Sequence, residues 1–406
     1  MKEFLTKINL RQILLLILVF VLGWQLGHRE LDLRWKNYQP ALTIKNKEPV
    51  NNVNVDFSLF WKTWNLVSRT HLEKSSIDPQ KLFYGAISGM VSAIGDPYTV
   101  FLPPEEQKSS KEDLNGAFEG VGIQLGFNKD KRLVVIAPLD GTPAKQAGIR
   151  AEDIIIKIDD EDTINMSLPE AVKLIRGPKG SKVVLTIIRD GDEEPKDFEL
   201  TRDTILVKSV EVEYKLTENN KNIAIIKLSR FAERTREEWE EGVADILDKN
   251  PDGLILDLRN NPGGFLEGAV FIGSEFLKDG NVVLQEDSEG KRVNFPVERG
   301  GKLTEIKMVA LINKGSASAS EIVAGALQDR GRAQLVGVKS FGKGTIQEAQ
   351  DLEGGTGIHI TVARWLTPNG RWVNDTEGFE PDVVIEEDKD DPDNDRQLLK
   401  ALELLE

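Results

Sequence analysis

Cysteine is absent from all 406 residues, which excludes disulfides, thiolate metal sites and a thiol nucleophile. Histidine is nearly absent: His28, His71 and His359 are the only three, far apart in sequence. That scarcity argues against a structural zinc site and predicts that any hydrolytic base is Lys, Asp or Glu. A surplus of positive charge is missing too. The formal net charge is -15, whereas a nucleic-acid binder usually shows a basic face. No internal repeat is visible. The remaining composition, 40% hydrophobic and 29% charged, is that of a globular chain long enough for two or three separately cored domains.

Long apolar runs are also scarce, and the one candidate is N-terminal. Lys2, Lys7 and Arg11 precede an apolar run over residues 13–23, continued weakly by Trp24, Leu26 and Gly27. Positive charge ahead of the run places the N-terminus in the cytoplasm and the rest of the chain outside. The run is short against the about 20 residues of a spanning helix, and its length also suits a signal-peptide core. No small-x-small cleavage site follows in Gly23-Trp24-Gln25-Leu26-Gly27-His28, and Trp24 suits the outer interface. Residues 1–30 are therefore read as an uncleaved signal anchor, with a cleaved signal peptide as the alternative. The functional part is expected to be extracytoplasmic, periplasmic or extracellular, tethered by a single pass to the cell membrane.

The rest divides by rhythm. Residues 31–55 are polar and rich in Asn and Lys, and read as a stalk. Residues 56–110 form an N-terminal helical region: Phe57, Phe60, Trp61, Trp64, Leu66 and Val67, then Leu82, Ala86, Ile87 and Met90, recur at helical spacing. Asp78-Pro79 suits an N-cap and first helical position, and Gly95-Asp96-Pro97-Tyr98-Thr99 is a turn that closes the segment. Residues 111–205 form a compact unit with strands predicted over 118–125, 133–136, 153–158 and 182–189 and helices over 142–147 and 168–175. Residues 206–385 alternate strands (223–228, 253–258, 307–312, 334–338, 359–365) with helices (236–249, 267–277, 320–329), which indicates an α/β domain. Residues 386–406 are an acidic, solvated linker and a short amphipathic helix over 398–405.

Three stretches could carry chemistry. In Asn313-Lys314-Gly315-Ser316-Ala317-Ser318-Ala319-Ser320-Glu321, small residues flank serines between a buried-looking strand and a helix. Such packing lets a carbonyl approach, and a following helix aims N–H groups at an oxyanion. The same residues fit a capping box, in which Ser318 only starts the helix. In Phe341-Gly342-Lys343-Gly344-Thr345-Ile346-Gln347, a lysine between glycines is poorly placed as a solubilising charge. Buried beside a serine, its amine would lose basicity and act as a general base. In an extended segment Gln347 would share its face and could hold the amine. The alternative is a Gly-rich loop with an exposed lysine. Gly263-Gly264, closing Leu258-Arg259-Asn260-Asn261-Pro262, offers bare backbone N–H groups of the kind an oxyanion hole uses. In the middle unit, Gly120-Val121-Gly122-Ile123 suits capture of a peptide's terminal carboxylate while the peptide adds a strand, with the 168–175 helix as the other wall.

Together these segments resemble the carboxyl-terminal processing peptidases, or tail-specific proteases, from about residue 57 to 384. The joint occurrence of Ser-Ala-Ser-Ala-Ser-Glu and Phe-Gly-Lys-Gly at this spacing is highly specific. The resemblance implies a PDZ domain (111–205) inserted into a serine protease domain of ClpP/crotonase type (206–385), hence an α/β, α+β multidomain chain. It implies Ser318 as nucleophile, Lys343 as base, Gln347 as its orienting group, and an oxyanion hole from Gly264 or Gly263 with Ala319. Glu321 and Asp329 match positions of structural support, and Ser340 stands where relatives often have threonine. His359 is expected to be packed rather than catalytic. Arg176 is expected to report groove occupancy to the protease domain. The helices of residues 56–90 are expected to serve a homo-oligomer. The implied activity is endoproteolysis, without metal or organic cofactor, of protein or peptide substrates chosen by their free C-termini. The alternative is a tethered PDZ binding module on an inactive scaffold.

Overall fold

The computed structural model describes residues 20, 31–36, 39–44, 56–139, 141–189, 194–388, 391 and 394–406. The expected anchor, residue 20 apart, lies outside them, and among the described residues no helix is long and apolar enough to cross a membrane. The chain forms two compact units, residues 1–79 and 80–406.

In the first unit, β1 (Leu31–Lys36) and β2 (Gln39–Ile44) pair antiparallel from Leu31↔Ile44 to Lys36↔Gln39. This hairpin falls where composition suggested a stalk. The alternation of Leu31, Leu33 and Trp35 with Asp32, Arg34 and Lys36 is the strand signal that the polar average hid. Helix α1 (Ser58–Thr70) follows; the Asp56 carboxylate accepts from the Ser58 N–H at 2.8 Å and hydroxyl at 2.7 Å. Its rings meet edge to face, Phe60 and Trp61 at 5.1 Å. No residue of α1 is buried. Helical periodicity was right about conformation but not about a covered face.

Helix α2 (Pro79–Ser92) leads into the second unit, followed by β3 (Val100–Leu102) and α3 (Pro104–Asn115). The middle body then runs β4 (Ala117–Gly120), β5 (Ile123–Phe127), β6 (Leu133–Pro138), α4 (Pro143–Gln146), β7 (Ile154–Ile158), β8 (Glu161–Asp162), α5 (Leu168–Ile175), β9 (Lys182–Ile188), β10 (Lys196–Thr201) and β11 (Asp203–Leu206). Its sheet has the order β10-β9-β7-β6-β5, with β5 at an edge. Val183, Leu185 and Ile187 alternate into a core shared with Leu133, Ile155 and Ile158, and Ala171 and Ile175 of α5 cover it. The single strand expected over 118–125 is two strands broken at Val121-Gly122. The first, β4, leaves the sheet and pairs with β11 from Gly120↔Asp203 to Ala117↔Leu206. Entry and exit of the middle body are therefore one two-stranded ribbon.

The last body contains β12 (Val210–Leu216), β13 (Asn222–Leu228), α6 (Thr235–Lys249), β14 (Gly253–Asp257), α7 (Leu266–Phe276), β15 (Asn281–Asp287), β16 (Arg292–Pro296), β17 (Met308–Ile312), α8 (Ala319–Asp329), β18 (Gln334–Gly337), β19 (Thr345–Asp351), β20 (Gly357–Leu366), β21 (Val383–Val384) and α9 (Arg396–Leu405). The main sheet runs β12-β13-β14-β17-β18-β21, parallel apart from β12. Every residue of β14 and β17 is buried, as expected for strands covered on both faces. Trp239, Phe271 and Ile322 of α6 to α8 cover one face, and Ala401 and Leu405 of α9 cover Ile223, Ile255 and Leu311 on the other. A second sheet, β16-β15-β20-β19, also takes β3 on β20. The segment ahead of the middle body thus contributes a strand to the last body, across the boundary drawn at residue 110.

The acidic run is not uniformly solvated. Asp395 caps α9, accepting from the Leu398 N–H at 3.0 Å, and pairs with Arg259 at 2.8 Å, while Glu387 accepts from Asn313 at 3.0 Å. Leu405 tests whether α9 is integral to the fold. Leu405→Ala removes a fully buried side chain and should destabilise the protein by about 2–4 kcal/mol, read as a lower urea midpoint with unchanged slope.

Candidate functional site

The neighbouring parallel strands β14, β17 and β18 release their chains at the same end of the sheet, where ligands bind in open α/β folds. From them come the Gly263-Gly264 loop, the Ser318 turn and the Lys343 loop. The loops are sewn together. Ala317 N–H donates to Asn261 O at 2.9 Å, Phe341 N–H to Ser316 O at 3.0 Å, and Asn260 N–H to Asn313 Oδ1 at 2.9 Å.

The three candidate serines separate by environment. Ser316 and Ser320 are fully buried, and their hydroxyls donate to Leu258 O at 2.9 Å and Asn261 O at 2.8 Å. Ser318 is only half-buried and adopts φ 56° and ψ -115°. A non-glycine residue at that φ stores strain, of order 1–3 kcal/mol, which persists only when the surroundings fix it. Here Ser318 N–H donates to Glu321 Oε2 at 2.8 Å, and Ser318 O accepts from Ile322 N–H at 2.9 Å.

Lys343 sits in a comparably fixed loop. Its carbonyl accepts from Trp365 Nε1 at 2.9 Å, and Gly344 O accepts from Trp372 Nε1 at 2.8 Å. A Cβ on Gly344 would lie 2.5 Å from that indole nitrogen, so glycine is needed there for space. Burial lowers the Lys343 amine below the ordinary lysine value of 10.5, against the pull of Asp96 and Glu321 to keep it charged.

Glu321 joins the two loops. Its carboxylate has no exposure and accepts four bonds: from Ser318 N–H at 2.8 Å, Lys343 N–H at 2.9 Å, Gly342 N–H at 2.7 Å and the Ser340 hydroxyl at 2.6 Å. Burial raises its pKa, and the four donors oppose the rise. Structural support at this position thus takes a definite form, and the serine at 340 is a member of the network. Asp329 accepts from Asn369 N–H at 2.9 Å and pairs with Arg371, away from these loops.

Gly263 lies against the Ser318 turn: a Cβ there would be 2.9 Å from both Ser318 Cβ and Ala319 N. Its own N–H donates to Asn261 Oδ1 at 2.9 Å. Among the described residues nothing takes up the N–H of Gly264 or of Ala319. Of the two glycines expected as oxyanion donors, Gly264 is the one left available.

The segment is not extended throughout as expected: Lys343 lies in the loop before β19, Gln347 lies on β19 just after a bulge, and its Nε2 donates to the hydroxyls of Thr345 at 2.9 Å and Thr361 at 3.2 Å. Only its Oε1 remains to accept from the amine. His359, half-buried on β20, is held below the ordinary imidazole range by burial and by Lys343. Sequence reasoning took Asp96 and Tyr98 as a turn and as a landmark of the family resemblance but gave them no part in the site: the Tyr98 ring lies 5.0 Å from Lys343 Nζ. An aromatic inside an Asp-Pro turn was the available signal.

In the middle body, nothing among the described residues takes the N–H of Val121 or Gly122, while their carbonyls accept from Ala144 at 3.0 Å and Leu139 at 2.9 Å. Gly120 ends β4, and Ile123 opens the edge strand β5, beside α5. Arg176, at the end of α5, pairs with Glu112 of α3 at 3.1 Å and lies 4.5 Å from the Phe118 ring. It lines a cavity of about 670 Å3 whose far wall includes Asn260, Pro262 and Gly315 of the loops above.

Comparison with known proteins agrees with this division. The profile of peptidase family S41 matches residues 222–385, a PDZ domain matches residues 134–189, and the N-terminal domain of the activating protease CtpB matches residues 30–106. The carboxy-terminal processing protease CtpA of Bacillus subtilis (strain 168) is 37% identical over 345 residues, covering 85% of this chain and 72% of that protein. The carboxyl-terminal-processing protease of Picosynechococcus sp. is 37% identical over 374 residues, covering 92% and 88%. A solved chain from Bacteroides fragilis NCTC 9343, described as an S41 protease, shares the fold with a TM-score of 0.55 at 15% identity, covering 88% and 99%.

The Glu321 network predicts a large stability effect. Glu321→Leu strands four donors in a buried site and should cost at least about 3 kcal/mol by urea unfolding. Glu321→Gln, which keeps one acceptor oxygen, should cost less. Equal, small losses for both would contradict the shared-anchor role.

Proposed function

Because the chain belongs to the carboxyl-terminal processing proteases of peptidase family S41, and is a serine-type peptidase with a PDZ domain, we propose that it cleaves through a Ser318–Lys343 dyad on substrates held by their C-terminal tails. The observation that carries this reading is the Glu321 carboxylate, which holds the backbone N–H groups of Ser318 and Lys343 at 2.8 and 2.9 Å. A serine and a half-buried lysine are thereby fixed relative to one another.

The neutral Lys343 amine takes the proton of the Ser318 hydroxyl as Oγ attacks the scissile carbonyl carbon. The oxyanion that forms is met by the N–H groups of Gly264 and Ala319. The Lys343 ammonium then protonates the leaving amine as the C–N bond breaks, which leaves an ester on Ser318. Water, giving a proton to Lys343, attacks that ester, and Lys343 returns the proton to Ser318 Oγ as the Oγ–C bond breaks and the acid product leaves. Gln347 acts on this pair through Oε1 and through the threonines it binds.

Recognition is assigned to the β5 edge. A peptide adds there as a strand, its terminal carboxylate meeting the Val121 and Gly122 N–H groups at the loop Gly120–Ile123, with α5 as the opposite wall. Arg176 lies at the end of that wall and on the cavity shared with Pro262 and Gly315, which suits it to report occupancy. The N-terminal segment is proposed as a membrane anchor that leaves the catalytic part extracytoplasmic, and the uncovered aromatic residues of α1 as a surface for a homo-oligomer.

The test uses the full chain in mild detergent and an unfolded protein ending either in an apolar tail or in Asp-Asp. Ser318→Ala and Lys343→Ala should each reduce cleavage by at least about a thousandfold while remaining folded. The apolar tail should be cut faster, and Arg176→Ala should narrow that difference. Wild-type kcat/KM should rise with pH through an inflection below 10.5, because burial depresses the amine and only its neutral form accepts the proton. A Lys343→Ala variant with near-normal turnover would eliminate the dyad; cleavage indifferent to the tail would eliminate PDZ selection.

A further inference from the structure

The turn Gly95-Asp96-Pro97-Tyr98-Thr99 comes from the segment ahead of the PDZ domain, far in sequence from the peptidase loops, yet it closes on Lys343. The Asp96 carboxylate accepts from Tyr98 N–H at 3.0 Å and from the Thr99 hydroxyl at 2.6 Å, which sets the turn and aims the tyrosine ring. Thr99 is buried, and its Oγ1 accepts from Thr361 N–H of β20 at 3.0 Å. Thr361 in turn receives the Gln347 amide at 3.2 Å. A continuous set of hydrogen bonds therefore runs from Asp96 to the strand pair that carries Gln347. At its near end the Tyr98 ring lies 5.0 Å from Lys343 Nζ, where its attraction for a cation opposes, and is outweighed by, the desolvation that dominates at this amine.

We propose that Tyr98 and Asp96 are positioning residues of the peptidase site: the ring covers the Lys343 amine from water, and the carboxylate balances its charge. The idea rests on the dyad reading above and adds residues that reading does not need.

The groups facing the amine come from three elements and act in different senses. Asp96, from the turn, and Glu321, from the first turn of α8, favour the ammonium. His359, from β20, feels the Lys343 charge and stays neutral more readily for it. Tyr98 is itself held neutral by burial and by Glu321 and Asp96, so it presents a ring and not a second charge. Desolvation is the largest influence on the amine, and among these groups Tyr98 is the one that lays a ring over it. Removing the ring lets water reach the ammonium and restores its basicity, whereas removing the Asp96 charge takes away an opposing pull. The two substitutions therefore act in opposite directions, a pattern that general loosening of the site does not produce.

The experiment follows the rate at which a fluorophosphonate phosphonylates Ser318 in the full chain, Oγ displacing fluoride from phosphorus, across pH, which needs neither a tail nor PDZ binding. Tyr98→Leu should move the inflection up by about one pH unit, a roughly tenfold loss at pH 7. Asp96→Asn should move it down by about half a unit or more. Tyr98→Phe keeps the ring and should overlay the wild type. If Tyr98→Leu fails to fold, the Phe and Asn variants still decide the matter: a shifted Phe profile or an unshifted Asn profile overturns the proposal. Superimposed profiles, or shifts of one sign, also overturn it. Lys343→Ala runs in the same assay, and normal phosphonylation there would overturn the dyad itself, separately from the role of the turn.

Discussion

The candidate site depends on a carboxylate buried out of contact with solvent. Glu321 would be costly to bury alone, and the chain offsets that cost with four donors, three of them backbone N–H groups from the loops on either side. The arrangement explains how a seryl residue at positive φ persists at the head of a helix. The strain at Ser318 is opposed by a bond to the same carboxylate oxygen that holds the Lys343 N–H, so neither loop can relax without disturbing the other. It also explains why the helix that follows is made of small residues. Ala319, Ser320, Ala324 and Gly325 let α8 sink fully into the core, and that burial is what keeps Glu321 dry.

Beneath this lies topology. Adjacent parallel strands ending at one edge bring the glycine pair, the serine turn and the lysine loop together with no long excursion of the chain. Side chains far along the sequence then tie the result down: Asp395 on Arg259, Glu387 on Asn313, and Thr99 on Thr361. The site is thus shared among the segment before the PDZ domain, the peptidase body and the C-terminal acidic stretch.

Much of this was legible beforehand because local pattern and tertiary role coincide. β14 and β17 read as buried strands from their uninterrupted apolar runs, α8 from the small residues after Ser318, and the PDZ core from the alternation in β9. Where role and pattern part, the sequence was silent. β15 and β16 lack an apolar run long enough to stand out, and their pairing with β20 is set by partners distant in the chain. β1 and β2 were masked by their polar average. The uncovered face of α1 could not be foreseen, since periodicity reports which residues share a face and not what lies against it. Asp96 and Tyr98 stood out as a turn and a family landmark but were given no place in the site, because nothing near them in sequence points to a lysine some 250 residues away. The residues alone did not say which of the three serines was free; the family resemblance pointed to Ser318, and the hydroxyls of Ser316 and Ser320 are bound to backbone.

The paired strands β4 and β11 have a mechanical meaning. A domain hung on two separate linkers could tumble; one hung on a hydrogen-bonded ribbon can bend across the ribbon but resists shear and twist within it. The ribbon thus narrows the directions in which the PDZ domain can be displaced from the peptidase body to those that bend it.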